Sequence, residues 1–110
     1  MSEHFVCKTN AIECGSVAPF ALEDANELPV NIAVIHTDAD QWFAVIDRCS
    51  HGRFKLSEGE VDGDCIECTR HGSAFDLHTG EPLNPPASSP IQTFPVRVDG
   101  DSVYVTLASN

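Results

Sequence analysis

The sequence predicts an all-β domain, and three observations carry that expectation. Apolar, often β-branched runs of about four to eight residues recur at close spacing, separated by turns rich in Asp, Gly and Pro. Two pairs of runs are joined by short acidic turns, Thr37-Asp38-Ala39-Asp40 and Asp99-Gly100-Asp101, which are hairpin signals. Helical periodicity is weak throughout. Short strands arranged in this way build sandwiches or barrel-like domains.

Taken in order, Phe5 to Lys8 is the expected opening strand and Phe20 to Glu23 a second. Glu23 to Leu28 has room for one helical turn before Pro29, whose ring disfavours helical backbone in the residue before it. Val30 to His36 and Trp42 to Ile46 form the first hairpin. Asp64 to Cys68 and Ser73 to Leu77 follow, then Ile91 to Val98 and Ser102 to Leu107 as the closing hairpin. Val96, Val98, Val103 and Val105 are placed to alternate between the faces of that last ribbon. Four of the seven prolines fall between Glu81 and Pro90, a rigid irregular segment. Too little chain follows it for another domain, so it is expected to be a loop that covers something, within a single domain over residues 1–110.

Composition bounds the function. The 110 residues are 42% hydrophobic and 21% charged, which excludes a disordered or low-complexity chain. Seventeen acidic against six basic side chains give a net charge of −11, which repels phosphate backbones and makes nucleic acid and anionic membranes poor partners. The first residues lack a basic stretch followed by an apolar one, and Ile32-Ala33-Val34-Ile35 is far short of the roughly 20 apolar residues of a membrane span. A soluble, cytoplasmic protein is expected. The five cysteines (Cys7, Cys14, Cys49, Cys65, Cys68) are an odd number, a poor disulfide framework; mixed with histidines they argue for metal or catalysis.

The informative residues are Cys49-Ser50-His51 and Cys68-Thr69-Arg70-His71, with 16 residues between His51 and Cys68. Each short loop offers one thiolate and one imidazole, and each follows an expected strand. A structural zinc usually takes its cysteines as one close pair and its histidines as another. Here the order is interleaved, which suits a two-iron cluster whose irons take different ligands, each loop sending its cysteine to one iron and its histidine to the other. Cys65-x-x-Cys68 with His71 and either Cys49 or His51 is the alternative zinc set, and it would make the chain a zinc-stabilised interaction module with no redox role.

C-x-H, a 16-residue gap and C-x-x-H resemble the Rieske ferredoxin family, the Rieske-type [2Fe-2S] ferredoxins that are soluble components of bacterial multicomponent oxygenases. The resemblance extends to Gly52 and Gly72 directly after the histidines, to Gly59-Glu60-Val61, to Thr79-Gly80 before the proline segment and to the closing hairpin. It implies three antiparallel sheets, with a small cluster-binding subdomain over about residues 45–88 and Pro82 to Pro90 as the covering loop. It implies one [2Fe-2S] cluster held by Cys49, His51, Cys68 and His71, with Gly52, Gly72, Ser73, Phe75 and Pro86 around it. A loop that wraps a cluster aims amide N–H groups at sulfur, often with φ > 0, which gives Gly52 and Gly72 a backbone reason to be glycine.

The ligand charges fix the direction of the potential. Two ferric ions, two sulfides, two cysteinates and two neutral imidazoles sum to zero, whereas four cysteinates give a dianion. An electron enters a neutral centre more readily, so such clusters lie at roughly −150 to +300 mV against about −400 mV for plant-type ferredoxins. Respiratory members of the family carry a disulfide clamp, for which the ligand loops here have no cysteines, and a tyrosine hydroxyl at the place of Phe75. Ser73 keeps the serine place. The expected potential is therefore at the low end of the range.

The function this implies is one-electron transfer from a flavin-containing ferredoxin reductase to a terminal Rieske oxygenase, with no substrate chemistry in the chain itself. Service to iron–sulfur assembly or to a nitrite-reductase-type system is the alternative client. Residues 48–71 hold four basic residues (Arg48, Arg53, Lys55, Arg70) and five acids, net −1; the rest holds two bases and twelve acids, net −10. The least negative end is thus the one bearing the ligand loops, and Arg53 and Arg70 are candidates for docking an acidic rim on a partner. Cys7, Cys14 and Cys65 read as packing or free thiols, His4, His36 and His78 as surface or strand residues, and Trp42, Phe43, Phe54, Phe75 and Phe94 as core.

Overall fold

A computed structural model of the protein describes residues 2–23, 27–48, 55–68, 72–84 and 89–107. Ten strands are found among the described residues: β1 (Ser2–Lys8), β2 (Ser16–Glu23), β3 (Pro29–His36), β4 (Trp42–Ile46), β5 (Glu60–Asp62), β6 (Cys65–Glu67), β7 (Ala74–Asp76), β8 (Thr93–Phe94), β9 (Val96–Asp99) and β10 (Ser102–Leu107). A single 3₁₀ turn, Leu56–Glu58, precedes β5. The strands form three antiparallel sheets in the orders β1-β10-β9, β2-β3-β4-β8 and β5-β6-β7. No helix among the described residues is long and apolar enough to cross a membrane.

β3 explains the layering. Its residues Ile32 to His36 are all buried, because both faces of this strand are covered. Strand alternation sends Ile32 and Val34 into one core with Val103, Val105 and Leu107 of β10, and Ala33 and Ile35 into a second core with Ile66, Phe75 and Leu77. β4 divides in the same way, Ala44 to the first core and Val45 to the second. The four-stranded sheet is therefore the middle layer. Each of the fully buried valine, leucine and isoleucine side chains among these contributes about 1.5–3 kcal/mol of transfer free energy.

β4 and β10 coincide with the expected strands, and β1, β2 and β3 extend theirs at the N-terminal end. Four expectations need correction. Ile91 to Val98 is two strands, not one: Pro95 lacks an amide hydrogen and marks the crossing from β8, paired with β4, to β9, paired with β10. The valines of the closing ribbon do not alternate between faces; Val96 pairs with Val105 and Val98 with Val103, so all four lie on one face. Glu23 ends β2 rather than starting a helical turn, and residues 24–26 lie outside the described residues. Cys65 is half-buried, not a fully packed core thiol. Cys7 does pack in the core, and Cys14 is exposed.

Across one face of the first sheet, Arg97 donates from Nε and Nη2 to the two carboxylate oxygens of Glu3, at 2.8 and 2.7 Å. The guanidinium holds Glu3 below the usual carboxylate range and also lies over the Tyr104 ring, 4.6 Å from its centroid. This clamp fastens the outer strands β1 and β9 across β10.

Candidate metal centre

The expected second ligand loop lies between two paired strands. β6 and β7 pair with Glu67 opposite Ala74, which leaves residues 68–73 as the connection. Two backbone bonds close it: Cys68 N–H donates to Ser73 O at 2.7 Å, and Gly72 N–H to Cys68 O at 2.9 Å. Gly72 has φ +73°, and no atom lies within 4 Å of where a Cβ would stand. Its glycine is thus required by backbone conformation rather than by space. Cys68 is 1% exposed and packs among Ile66, Phe75 and Leu77, while Ser73 is fully buried beside it. Phe75 is fully buried opposite Ile66 in β6, so it fixes the floor of the hairpin.

The proline segment is tied to this hairpin at its start. Asn84 Oδ1 accepts from Ala74 N–H at 2.7 Å, and Asn84 Nδ2 donates to Gly72 O at 2.8 Å. Leu83 N–H donates to Ala74 O, and Pro82 bridges to Phe75. The segment's two ends meet where Ile91 N–H donates to Gly80 O at 2.8 Å. Gly80 has φ +80°, and a Cβ there would collide with Ile91 O. The expected cover therefore has a pinned base, and its start runs along the second ligand loop.

The first ligand loop is closed at its neck. β4 ends at Ile46, and Asp47 N–H donates to Asn31 O. The Asp47 carboxylate, 8% exposed, accepts from Ser57 N–H and from the Ser57 hydroxyl, both at 2.7 Å. Leu56 is fully buried in the same core as Cys68. Asp47 and Ser57, on either side of the expected first ligand loop, are thus tied to each other.

Of the residues singled out from sequence, Cys68, Gly72, Ser73 and Phe75 come together in this hairpin. Cys49, His51, Gly52, Arg53, Arg70, His71 and Pro86 lie outside the described residues, as does Phe54. Asp47, Ser57 and Asn84 were missed. The signal that could have found them is positional: each is a hydrogen-bonding residue within a few positions of a ligand loop or of the proline segment.

Among the described residues of β5 to β7, three carboxylates lie near Cys65. Burial pushes the Cys65 thiol above its usual value, and the nearby Asp76, Asp62 and Asp64 carboxylates push it further. Cys65 is thus disfavoured as a thiolate donor. Cys68, by contrast, offers a soft sulfur shielded from water at the neck of a hydrogen-bonded loop. That donor chemistry fits an iron–sulfur cluster.

Three comparisons bear on this arrangement. The family described as Rieske [2Fe-2S] domain matches residues 2–95. A 3-phenylpropionate/cinnamic acid dioxygenase ferredoxin subunit from Photorhabdus laumondii is 38% identical over 109 residues, covering 98% of this chain and 97% of that one. Among solved structures, a chain in the complex of reduced oxygenase and oxidized ferredoxin in carbazole 1,9a-dioxygenase superposes with TM-score 0.83 at 37% identity, over 94% of this chain and 100% of that one. A putative NADH-dependent nitrite reductase small subunit from Mycobacterium tuberculosis superposes with TM-score 0.82, over 99% of this chain and 97% of that one; at 16% identity that likeness is one of fold.

Proposed function

The chain belongs to the Rieske [2Fe-2S] family, and from that premise we propose that it is the ferredoxin of a multicomponent oxygenase, taking one electron from a flavin-containing reductase and giving it to a terminal oxygenase. The observation that carries this reading is the end-to-end likeness to a dioxygenase ferredoxin subunit, alongside a closely superposing chain from an oxygenase–ferredoxin complex. The chain is an electron carrier, not an enzyme in its own right. We place its work in the cytoplasm.

Cys49, His51, Cys68 and His71 would hold the cluster, which supplies reversible one-electron chemistry when bound. The chain's own contribution is rigidity and exclusion of water. The Asp47–Ser57 clamp fixes both ends of the first loop, and the Cys68–Ser73 and Gly72–Cys68 bonds fix the second. Asn84 holds the covering segment against the second loop. The low acidity of residues 48–71 relative to the rest of the chain orients that end toward an acidic partner rim, with Arg53 and Arg70 as docking groups.

Stopped-flow mixing of the chemically reduced protein with the oxidised terminal oxygenase of its own system tests this reading. Single-exponential reoxidation of this protein, matched by reduction of the oxygenase, is expected. Absence of transfer to the oxygenase, with the cluster intact, would overturn it.

A further inference from the structure

A second group of metal-ligating side chains lies away from both ligand loops. Cys14 sits in the turn that leads into β2, His36 ends β3, and Asp40 stands in the β3–β4 turn. Their ligand atoms all lie within 4.8 Å of one another. The backbone puts them there: Ser16 pairs with His36 at the end of the β2–β3 ladder, and Gly15 N–H donates to His36 O at 2.6 Å. The turn carrying Asp40 is fixed by Thr37, which accepts Asp40 N–H on its carbonyl and Gln41 N–H on its hydroxyl. Asp40 itself is held at φ +62°, uncommon for a residue with a side chain.

His36 is the centre of the group, a strand residue at the end of β3 whose side chain is buried. Its side chain is 8% exposed and stacks on Trp42 with ring centroids 4.0 Å apart. Nδ1 lies 2.8 Å from Ile12 O. A carbonyl can only accept, so Nδ1 carries a hydrogen and Nε2 is the ring atom turned toward the group. Nε2 faces Asp40 Oδ1 at 2.5 Å and Cys14 Sγ at 3.6 Å. An imidazole nitrogen, a carboxylate oxygen and a sulfur, three atom types that ligate zinc, converge there. A ring whose far nitrogen donates to a backbone carbonyl is also the usual state of a metal-bound histidine.

We propose that Cys14 Sγ, His36 Nε2 and the Asp40 carboxylate bind one zinc ion, with water in the fourth position. Zinc takes sulfur at about 2.3 Å and imidazole nitrogen at about 2.0 Å, so a tetrahedral site separates those atoms by about 3.5 Å, close to the 3.6 Å observed. Asp40, its side chain 79% exposed, has room to withdraw to a similar separation from Nε2. A cleft bordered by Asn10, Asp40, Trp42 and Gly100 gives water access to the open position. The Asp38 carboxylate against Gly15 adds negative potential next to Cys14. The site lies at the His36–Trp42 end of the β3–β4 hairpin, whereas the chain runs on to Cys49 from the Ile46 end. Zinc there would staple the turn before β2 to the β3–β4 turn, independently of the electron-carrier reading.

Equilibrium dialysis of the cluster-loaded, chelator-washed protein against buffered Zn²⁺, with metal analysis, tests this. The wild type should retain one more zinc per chain than Cys14→Ala, with iron and labile sulfide unchanged. Asp40→Ala should weaken binding at least tenfold, and Asp38→Ala far less. Saturating zinc should raise Tm in the wild type and not in Cys14→Ala. Three results would each overturn the proposal: no zinc retained, equal uptake by wild type and Cys14→Ala, or uptake matched by loss of iron. The first leaves the His36–Asp40 hydrogen bond alone, the second an adventitious surface site, and the third the cluster ligands as the zinc site.

Discussion

Asp47 receives two hydrogen bonds from Ser57, one from its backbone N–H and one from its hydroxyl, both at 2.7 Å. The two residues bracket the whole first ligand loop, so this pair sets the width of the loop's neck. Asp47→Ala removes the acceptor and leaves the Ser57 N–H in a half-buried place without its partner. The cost is about 1–3 kcal/mol, a fall in Tm of roughly 4 °C per kcal/mol for a domain of this size. Calorimetry of the cluster-loaded variant checks it, and iron loss on dilution should be faster than in the wild type. Asp47→Asn keeps one acceptor oxygen and should fall between the two.

Asn84 separates donor from acceptor within one side chain, giving to Gly72 O and receiving from Ala74 N–H. Asn84→Asp keeps the acceptor and sets a carboxylate oxygen against a carbonyl. The isosteric change should therefore be as harmful as Asn84→Ala. Each variant should lose about 0.5–1.5 kcal/mol per bond and should release iron sooner under chelator challenge. Retention equal to wild type in Asn84→Asp would show that this tie does not brace the site.

The half-buried Cys65 thiol is held above its usual range by burial and then by Asp76, Asp62 and Asp64. A higher pKa means less thiolate at a given pH. Alkylation of Cys65 should thus be several-fold slower than that of a model peptide cysteine at pH about 8, and the gap should close as pH rises. Asp76→Asn should speed the reaction, since it removes one of the three charges. Mass spectrometry of the modified peptide over a pH series measures this; a rate equal to the peptide's across the series would contradict it.

Arg53 and Arg70 are the basic residues within two positions of the expected ligands His51 and His71. If they dock an acidic rim, Arg53→Glu should slow electron transfer from the reductase at low salt and flatten the dependence of the rate on ionic strength. Stopped-flow transfer rates over a salt series check this, and an unchanged slope would remove Arg53 from the interface.

How much of this was legible in the sequence depends on distance along the chain. β4 and β10 were readable because their side chains alternate or run apolar within a few residues. β5 was not: Glu60-Val61-Asp62 carries a single apolar residue, and only its pairing with β6 makes it a strand. Pro95 was visible as a residue but not as a crossing between sheets, because that depends on which strand each side pairs with. The ligand loops were legible as a spacing, since cysteine and histidine are scarce and chemically distinctive. The braces around them were not, because Asp47–Ser57 and Asn84–Gly72 are bonds from ordinary polar side chains to partners ten or more positions away, one of them a backbone carbonyl. The Cys14–His36 approach was hidden for the same reason, being fixed by the β2–β3 register.

The central claim is that two cysteines and two histidines, one of each per loop, hold a single [2Fe-2S] cluster. Pulsed EPR of the reduced protein labelled with ¹⁵N-histidine tests it most directly. The account predicts couplings from two imidazole nitrogens, and from one after His71→Cys, with a lower potential in that variant because a neutral ligand has become an anion. A reduced cluster with no coupled histidine nitrogen, or a His71→Cys spectrum identical to the wild type, would contradict it.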